Sequence, residues 1–452
     1  MKLKKYLLIL LFLIFSLKLC IAWEIIYDAN YTWEIVTDVA TKDEIVYAIG
    51  VSEPPSKVFL LQYEKEKSFK VFKLPLVSAW EDVTIFSRVS LLENDAIISV
   101  PIASERYSRK EVYTLVARIA KNGKVKWAKI IPEAACPALI VHSNDIYLSC
   151  FLRKEWREFE VLLKLSADGA LVWAKSTEDF YIVDISKNLF FVGLGNGVLF
   201  GKLLEDSTVL FSYRATLKEN ESSSDCWPFI VESKDKVMVG YNVDILRENY
   251  IVGSASYLIF MNKDGSISEI KRIKPKQDVR WFCLLDAEEN VIIGDIERKS
   301  DVIDGLIIEV NESFKTLKIP NAIFITIENG VIGGSSNKED FLIASIEDLM
   351  EESAEEDIFV QDANISIEKV ELKFVKTSMD IEDYDLSLKQ IYEKVYEEEK
   401  KTIVEKPEIE KPIKKSKTKL NILAILIFIL IIFILILMIC ILKRKPSQIS
   451  VL

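Results

Sequence analysis

Five large aromatic residues hold matching places in the chain: Trp33, Trp80, Phe180, Trp227 and Trp281 each precede a short apolar strand that recurs along the sequence. Gathered at one opening, aromatic faces stack on sugar rings or cations, so these side chains define a candidate ligand mouth. The same recurrence is what packing between repeated units produces, and both readings stand. The loops that carry them also hold Asp82, Asp179, Asp225 and Asp278, with Arg280 beside the last. Clustered carboxylates bind Ca²⁺ or work as an acid and base pair, whereas scattered ones are solvated loop charges. Arg280 joins the aromatics as a candidate ligand contact. His142, in LIVHSND, is the one histidine of the chain. That excludes histidine-cluster metal sites and leaves a serine or cysteine triad a single base, so a structural histidine is expected and no catalytic residue is assigned.

Cys20 and Cys440 lie in the apolar ends of the chain, which leaves Cys136, Cys150, Cys226 and Cys283 between them. If the SND turn joins paired strands, Cys136 and Cys150 share a face about one diagonal apart. Cys226 and Cys283 stand near the first strands of neighbouring repeats. Pairing 136 with 150 and 226 with 283 therefore competes with four buried free thiols. No spacing fits a zinc site, and neither metal nor cofactor is expected. Asn-x-Ser/Thr sequons at Asn30, Asn220, Asn311 and Asn364 fall in turns or edges and would accept glycans in a eukaryote or archaeon.

These residues are positioned by a repeat. A short apolar strand ending in a small residue recurs seven times, at Gly50, Ser99, Ser149, Gly193, Gly240, Gly294 and Gly333, with spacings of 39 to 54 residues. Each copy follows a polar turn and another apolar strand, which is a hairpin signature. A third strand follows in every copy, as in YTLVARIA and EVLLKLS. Six copies add a fourth after turns such as KNGKVKW, ADGALVW and KDGSISE, where Gly takes the position that needs positive φ. Four antiparallel strands repeated radially make an all-β, seven-bladed β-propeller over 23–348. The seventh unit lacks its fourth strand. The segment 23–29 (WEIIYDA) is expected to supply it, with 365–375 (ISIEKVELKFV) as the alternative donor.

Outside the repeats the character changes. Residues 1–22 combine a basic start, an apolar run and Ala22, the pattern of a secretory signal peptide. The uncharged stretch 420–442 is long enough to cross a bilayer as one helix, leaving a cytoplasmic tail of 443–452. Residues 349–419 read as an acidic, then Lys/Glu/Pro-rich stalk, helical and extended in turn. Leu388, Ile391, Tyr392 and Val395 at helical spacing predict a short amphipathic helix in it. A net charge of −11 and a pI of 5.1 exclude nucleic acid as a partner. Abundant Ile, Lys and Glu with little Gln resembles hyperthermophile usage.

The units EVLLKLSADGALVWAKS and GVIGGSSNKEDFLIASI resemble secreted seven-bladed propeller repeats of bacteria and archaea, which are similar to quinoprotein-like (PQQ-like) repeats with a Trp after an acidic-Gly turn. Two copies carry that Trp, at Trp127 and Trp173. The resemblance covers about 30–348 and implies the fold, with no activity carried over. The expectation is a cell-surface, membrane-anchored, non-catalytic binding or scaffold protein that recognises an envelope protein or glycan and holds the lipid bilayer through 420–442. The alternative is an ectoenzyme, such as a sugar hydrolase or a quinone-dependent dehydrogenase. SADGALVW, 166–173, matches a sialidase-type turn only in part.

Overall fold

The computed structural model describes residues 24–395, apart from short loop stretches of which 79–85 is the longest. Each repeat folds as an antiparallel sheet whose sequence neighbours are sheet neighbours. The innermost strands of blades 1 to 7 are Trp33–Lys42, Arg88–Leu92, Ala134–His142, Phe180–Ile185, Phe229–Glu232, Trp281–Glu288 and Ala322–Glu328. Each blade packs on the next and the seventh packs on the first, enclosing a channel. The alternating residues of the strands interdigitate between blades, as where Leu60 and Leu74 of blade 1 meet Val100 and Leu115 of blade 2. The turns KNG, ADG and KDG hold Gly123, Gly169 and Gly265 at φ of 82°, 83° and 90°. These turns lie on the lower face, together with those joining first to second strands. The upper face carries the links from blade to blade.

Blade 7 ends in helix α1, Ile346–Glu351, after its third strand Asp340–Ser345. Its fourth strand is Glu24–Tyr27, paired from Glu24↔Ala344 to Tyr27↔Phe341. The N-terminal segment therefore closes the ring.

The chain after the helix does not stand off as a stalk, which corrects the sequence expectation for 354–395. It runs back around the ring as a belt and adds a fifth strand to six blades in reverse order. Ala354–Glu355 pairs with blade 6, Ile358–Asp362 with blade 5, Ser366–Lys369 with blade 4, Val375–Lys376 with blade 3, Glu382–Asp383 with blade 2 and Lys389–Val395 with blade 1. The alternative closing segment 365–375 is part of this belt. The predicted amphipathic helix is a strand, Lys389–Val395, along Ser68–Ser78. Open blade edges offer unpaired N–H and C=O groups, and pairing there outweighs the helical propensity of Leu, Lys and Glu. Its Tyr392 ring meets Tyr27 and Phe69, with centroids 5.6 and 5.9 Å apart.

Residues 1–22, 396–419, 420–442 and 443–452 lie outside the described residues. Among the described residues no helix is long and apolar enough to cross a membrane.

Candidate functional site

Three of the innermost strands place an aspartate directly after a local irregularity, and these build the site. Their register shifts between Val36 and Asp38, Ile182 and Asp184, and Leu284 and Asp286. Such a bulge inserts one residue, bends the strand and re-aims the side chain that follows. A Cβ on Gly193 or Gly294 would collide with the carbonyl oxygen of Tyr181 or Cys283. In these two blades the small residue of the repeat signature is thus the space into which the bulge presses.

Each aspartate behind a bulge latches two blades. One oxygen accepts from the next N–H of its own strand, Val39, Ile185 or Ala287, at 3.0, 2.8 and 2.8 Å. The other accepts from the following blade, Val89, Ile230 or Ile327, at 2.7, 2.8 and 2.9 Å. Blade 7 carries Thr326 after its own bulge, and this hydroxyl donates to Asp38 Oδ1 at 3.2 Å.

The three carboxylates, Arg88 and Thr326 line one central cavity of about 860 Å³. Burial pushes Asp38 up to about 7, against the pull of the Arg88 charge and the Val89 amide. Burial pushes Asp286 up to about 8, helped by the charge of Asp184 and more weakly by Asp38. Asp184 is also raised by burial, while the Ile230 amide and Arg88 pull it down. All three remain partly accessible from the channel. Carboxyl groups that hold protons near neutral pH can exchange them with a bound molecule.

Two more acids are almost wholly buried. Asp295 accepts from Phe324 N at 3.0 Å, linking blades 6 and 7, and burial holds it far above the usual carboxylate range. Glu160 is raised in the same way and contacts Ser149, whose hydroxyl donates to Ile182 O at 2.6 Å. A protonated Glu160 donating to Ser149 Oγ leaves that hydroxyl free to donate to Ile182 O.

Of the predicted aromatics, Trp227 and Trp281 line the cavity. Phe180 does not; it is buried against Phe191 and Phe374, at 6.0 and 5.9 Å, and serves packing. The backbone of Trp33 pairs with Glu53 in the first strand of blade 1. Trp80, Asp82, Asp179, Asp225, Asp278 and Arg280 lie outside the described residues, as do Asn30 and Asn311. Asn220 and Asn364 are exposed, in a turn and in a belt link. Cys136 is joined to Cys150 within blade 3, and Cys226, ahead of blade 5, to Cys283 in blade 6. His142 bridges blades 3 and 4 on the lower face, with Nδ1 2.7 Å from Lys187 O and Nε2 3.3 Å from Glu205 Oε1. Among the described residues no group of three His, Cys, Asp or Glu side chains is disposed to hold a metal ion.

Sequence reasoning missed Asp38, Asp184, Asp286, Arg88 and Phe86. A signal for the aspartates existed: TDVA, VDIS and LDAE set an aspartate beside apolar residues at the same place in three first strands.

No protein-family model matches the sequence, and no curated protein matches it. Among solved structures the fold is similar to the polysaccharide lyase Uly1, at TM-score 0.42 and 7% identity over 70% of this chain and 90% of that one. It is also similar to the GH32 β-fructofuranosidase BmSUC1 of Bombyx mori. A point mutant of that enzyme in complex with sucrose gives TM-score 0.29 and 7% identity over 74% of this chain and 94% of that one. A second BmSUC1 structure gives 0.27 and 6% over 76% and 94%. These neighbours are named as enzymes, unlike the non-catalytic binding or scaffold protein expected from the sequence. The likeness itself is one of fold. The seven-bladed arrangement stands, while no match ties the repeats to the quinoprotein-like family.

Proposed function

We propose that this chain is a carbohydrate-cleaving enzyme whose reaction runs in the central channel, on the outer side of a membrane that its C-terminal apolar segment anchors. The observation that carries this reading is the convergence of Asp38, Asp184 and Asp286, from blades 1, 4 and 6, with Arg88 from blade 2, on one cavity. Acid–base cleavage of a glycosidic bond needs one carboxylic acid that keeps its proton near neutral pH and one ionised carboxylate. Asp286 suits the acid, since a neighbouring carboxylate adds to the effect of burial. Asp184 is assigned as the base: burial raises it, while the Ile230 amide and the Arg88 charge pull it back towards the anion. Trp227 and Trp281 supply apolar faces for a sugar ring at the upper end. The two disulfides favour an oxidising compartment, and the uncharged stretch 420–442 favours insertion in a bilayer.

The test is release of reducing ends from a panel of fructans, glucans and uronic-acid polysaccharides by the full chain in detergent. Wild type is expected to act on at least one polymer and Asp286→Asn to lose about a hundredfold or more. No release across the panel, or equal release by the variant, would overturn the reading.

A further inference from the structure

We infer that molecules reach the channel carboxylates through the lower mouth, past a gate made by Lys187 and Glu328, and that the upper mouth is the closed end. In a ring of seven, blades 4 and 7 face each other across the channel, and so do blades 2 and 5. Both mouths are spanned by such opposed pairs. Below, Lys187 Nζ of blade 4 reaches Glu328 Oε1 of blade 7 at 2.6 Å, while the second oxygen of Glu328 accepts from Thr41 N at 3.1 Å. Above, Phe86, ahead of blade 2, stacks on Trp227, ahead of blade 5, with ring centroids 4.2 Å apart and planes at 25°.

The two closures differ in what opening them requires. The Lys187 side chain is 67% exposed, and an exposed ion pair is weak and screened by salt. Swinging it aside breaks one ion pair and no backbone hydrogen bond. Parting the upper pair strips an aromatic stack from Trp227, whose ring also meets Phe151 at 6.0 Å. The preceding residue, Cys226, is bound covalently to Cys283, so the loop is anchored at its root. The lower gate therefore opens more readily.

The rim also indicates what passes. Near the gate Asn188 donates to Glu232 at 2.8 Å and Lys263 pairs with the same carboxylate at 2.8 Å. Donors and acceptors of both signs, leading to three carboxyl groups, fit an uncharged, hydroxyl-rich molecule and disfavour a polyanion. The choice of a neutral carbohydrate rests on the enzymatic reading above; the route of entry does not.

Access can be read without turnover. The full chain is treated with a water-soluble carbodiimide and glycine ethyl ester, and labelling of Asp286 is followed by mass spectrometry against exposed Asp264. Lys187→Gln is expected to speed labelling of Asp286 by about twofold to fivefold, the factor that loss of a surface ion pair allows. Added salt should bring wild type towards the rate of that variant, and Phe86→Ala should leave the rate unchanged. Faster labelling in Phe86→Ala with no change in Lys187→Gln would put the entrance above and overturn the inference, as would no change in either. A chain that labels as expected yet cleaves no polysaccharide refutes the enzymatic reading and keeps the gate.

Discussion

Asp286 accepts two backbone hydrogen bonds and still titrates near 8, so for this side chain burial and a neighbouring charge outweigh bonds that favour the anion. The consequence for stability has a definite sign. A carboxyl raised in the folded state binds its proton more tightly there than in the unfolded chain. The stability that Asp38 and Asp286 gain from protonation is present below pH 4 and is lost as pH rises through 7 and 8. A tenfold difference in proton affinity corresponds to about 1.4 kcal/mol, and channel water reduces the effect, so a loss of roughly 1 to 3 kcal/mol between pH 5 and pH 9 is expected. Asp286→Asn should flatten this dependence, because the amide imitates the protonated acid. Chemical denaturation of both proteins at the two pH values checks it; an equal slope in the variant would refute the assignment.

The belt turns a run of short, mostly exposed segments into part of the fold. Its strands are too short to hold by backbone pairing alone, and apolar side chains pin them at intervals. Leu372 and Leu386 are 8% and 6% exposed and pack into the clusters between blades 3 and 4 and between blades 1 and 2. Leu386→Ala and Leu372→Ala should each cost about 2 kcal/mol, at the low end for a buried leucine. Denaturant midpoints measure this, and a cost near zero would mean that the belt rides on the surface. A chain ended after Glu351 would bare six blade edges, and edges of that kind pair with other chains. It should self-associate where a chain ended after Val395, belt included, stays monodisperse, as light scattering would record.

At the scale of the whole molecule, one disulfide between blades and two closures by the chain itself resist opening of the ring. Strand Glu24–Tyr27 joins the last blade to the first, and the belt ends beside it where Tyr392 meets Tyr27. The bond Cys226–Cys283 spans 57 residues and ties blade 5 to blade 6. Removing it as Cys226→Ala with Cys283→Ala should cost about 2 to 4 kcal/mol, by the loop it closes in the unfolded chain. The same variant should shift tryptophan emission, because Trp227 loses its anchor. Unchanged emission with lowered stability would separate the brace from the upper mouth.

The strands, the hairpin turns and the sevenfold count were legible in the sequence, because alternation and the Gly of KNG, ADG and KDG are local properties of a few residues. The strand that closes the ring was inferable by counting, since one unit lacked its fourth. The belt was not, because 384–395 has a helical period and becomes a strand only where another strand offers an open edge. Nor was the channel site: TDVA, VDIS and LDAE lie 146 and 102 residues apart, and the sequence says nothing of distance between them. By itself the sequence determined the repeat; the tertiary structure alone decided which carboxylates meet, since closing seven blades into a ring brings the first, fourth and sixth to one axis and withdraws them from bulk water.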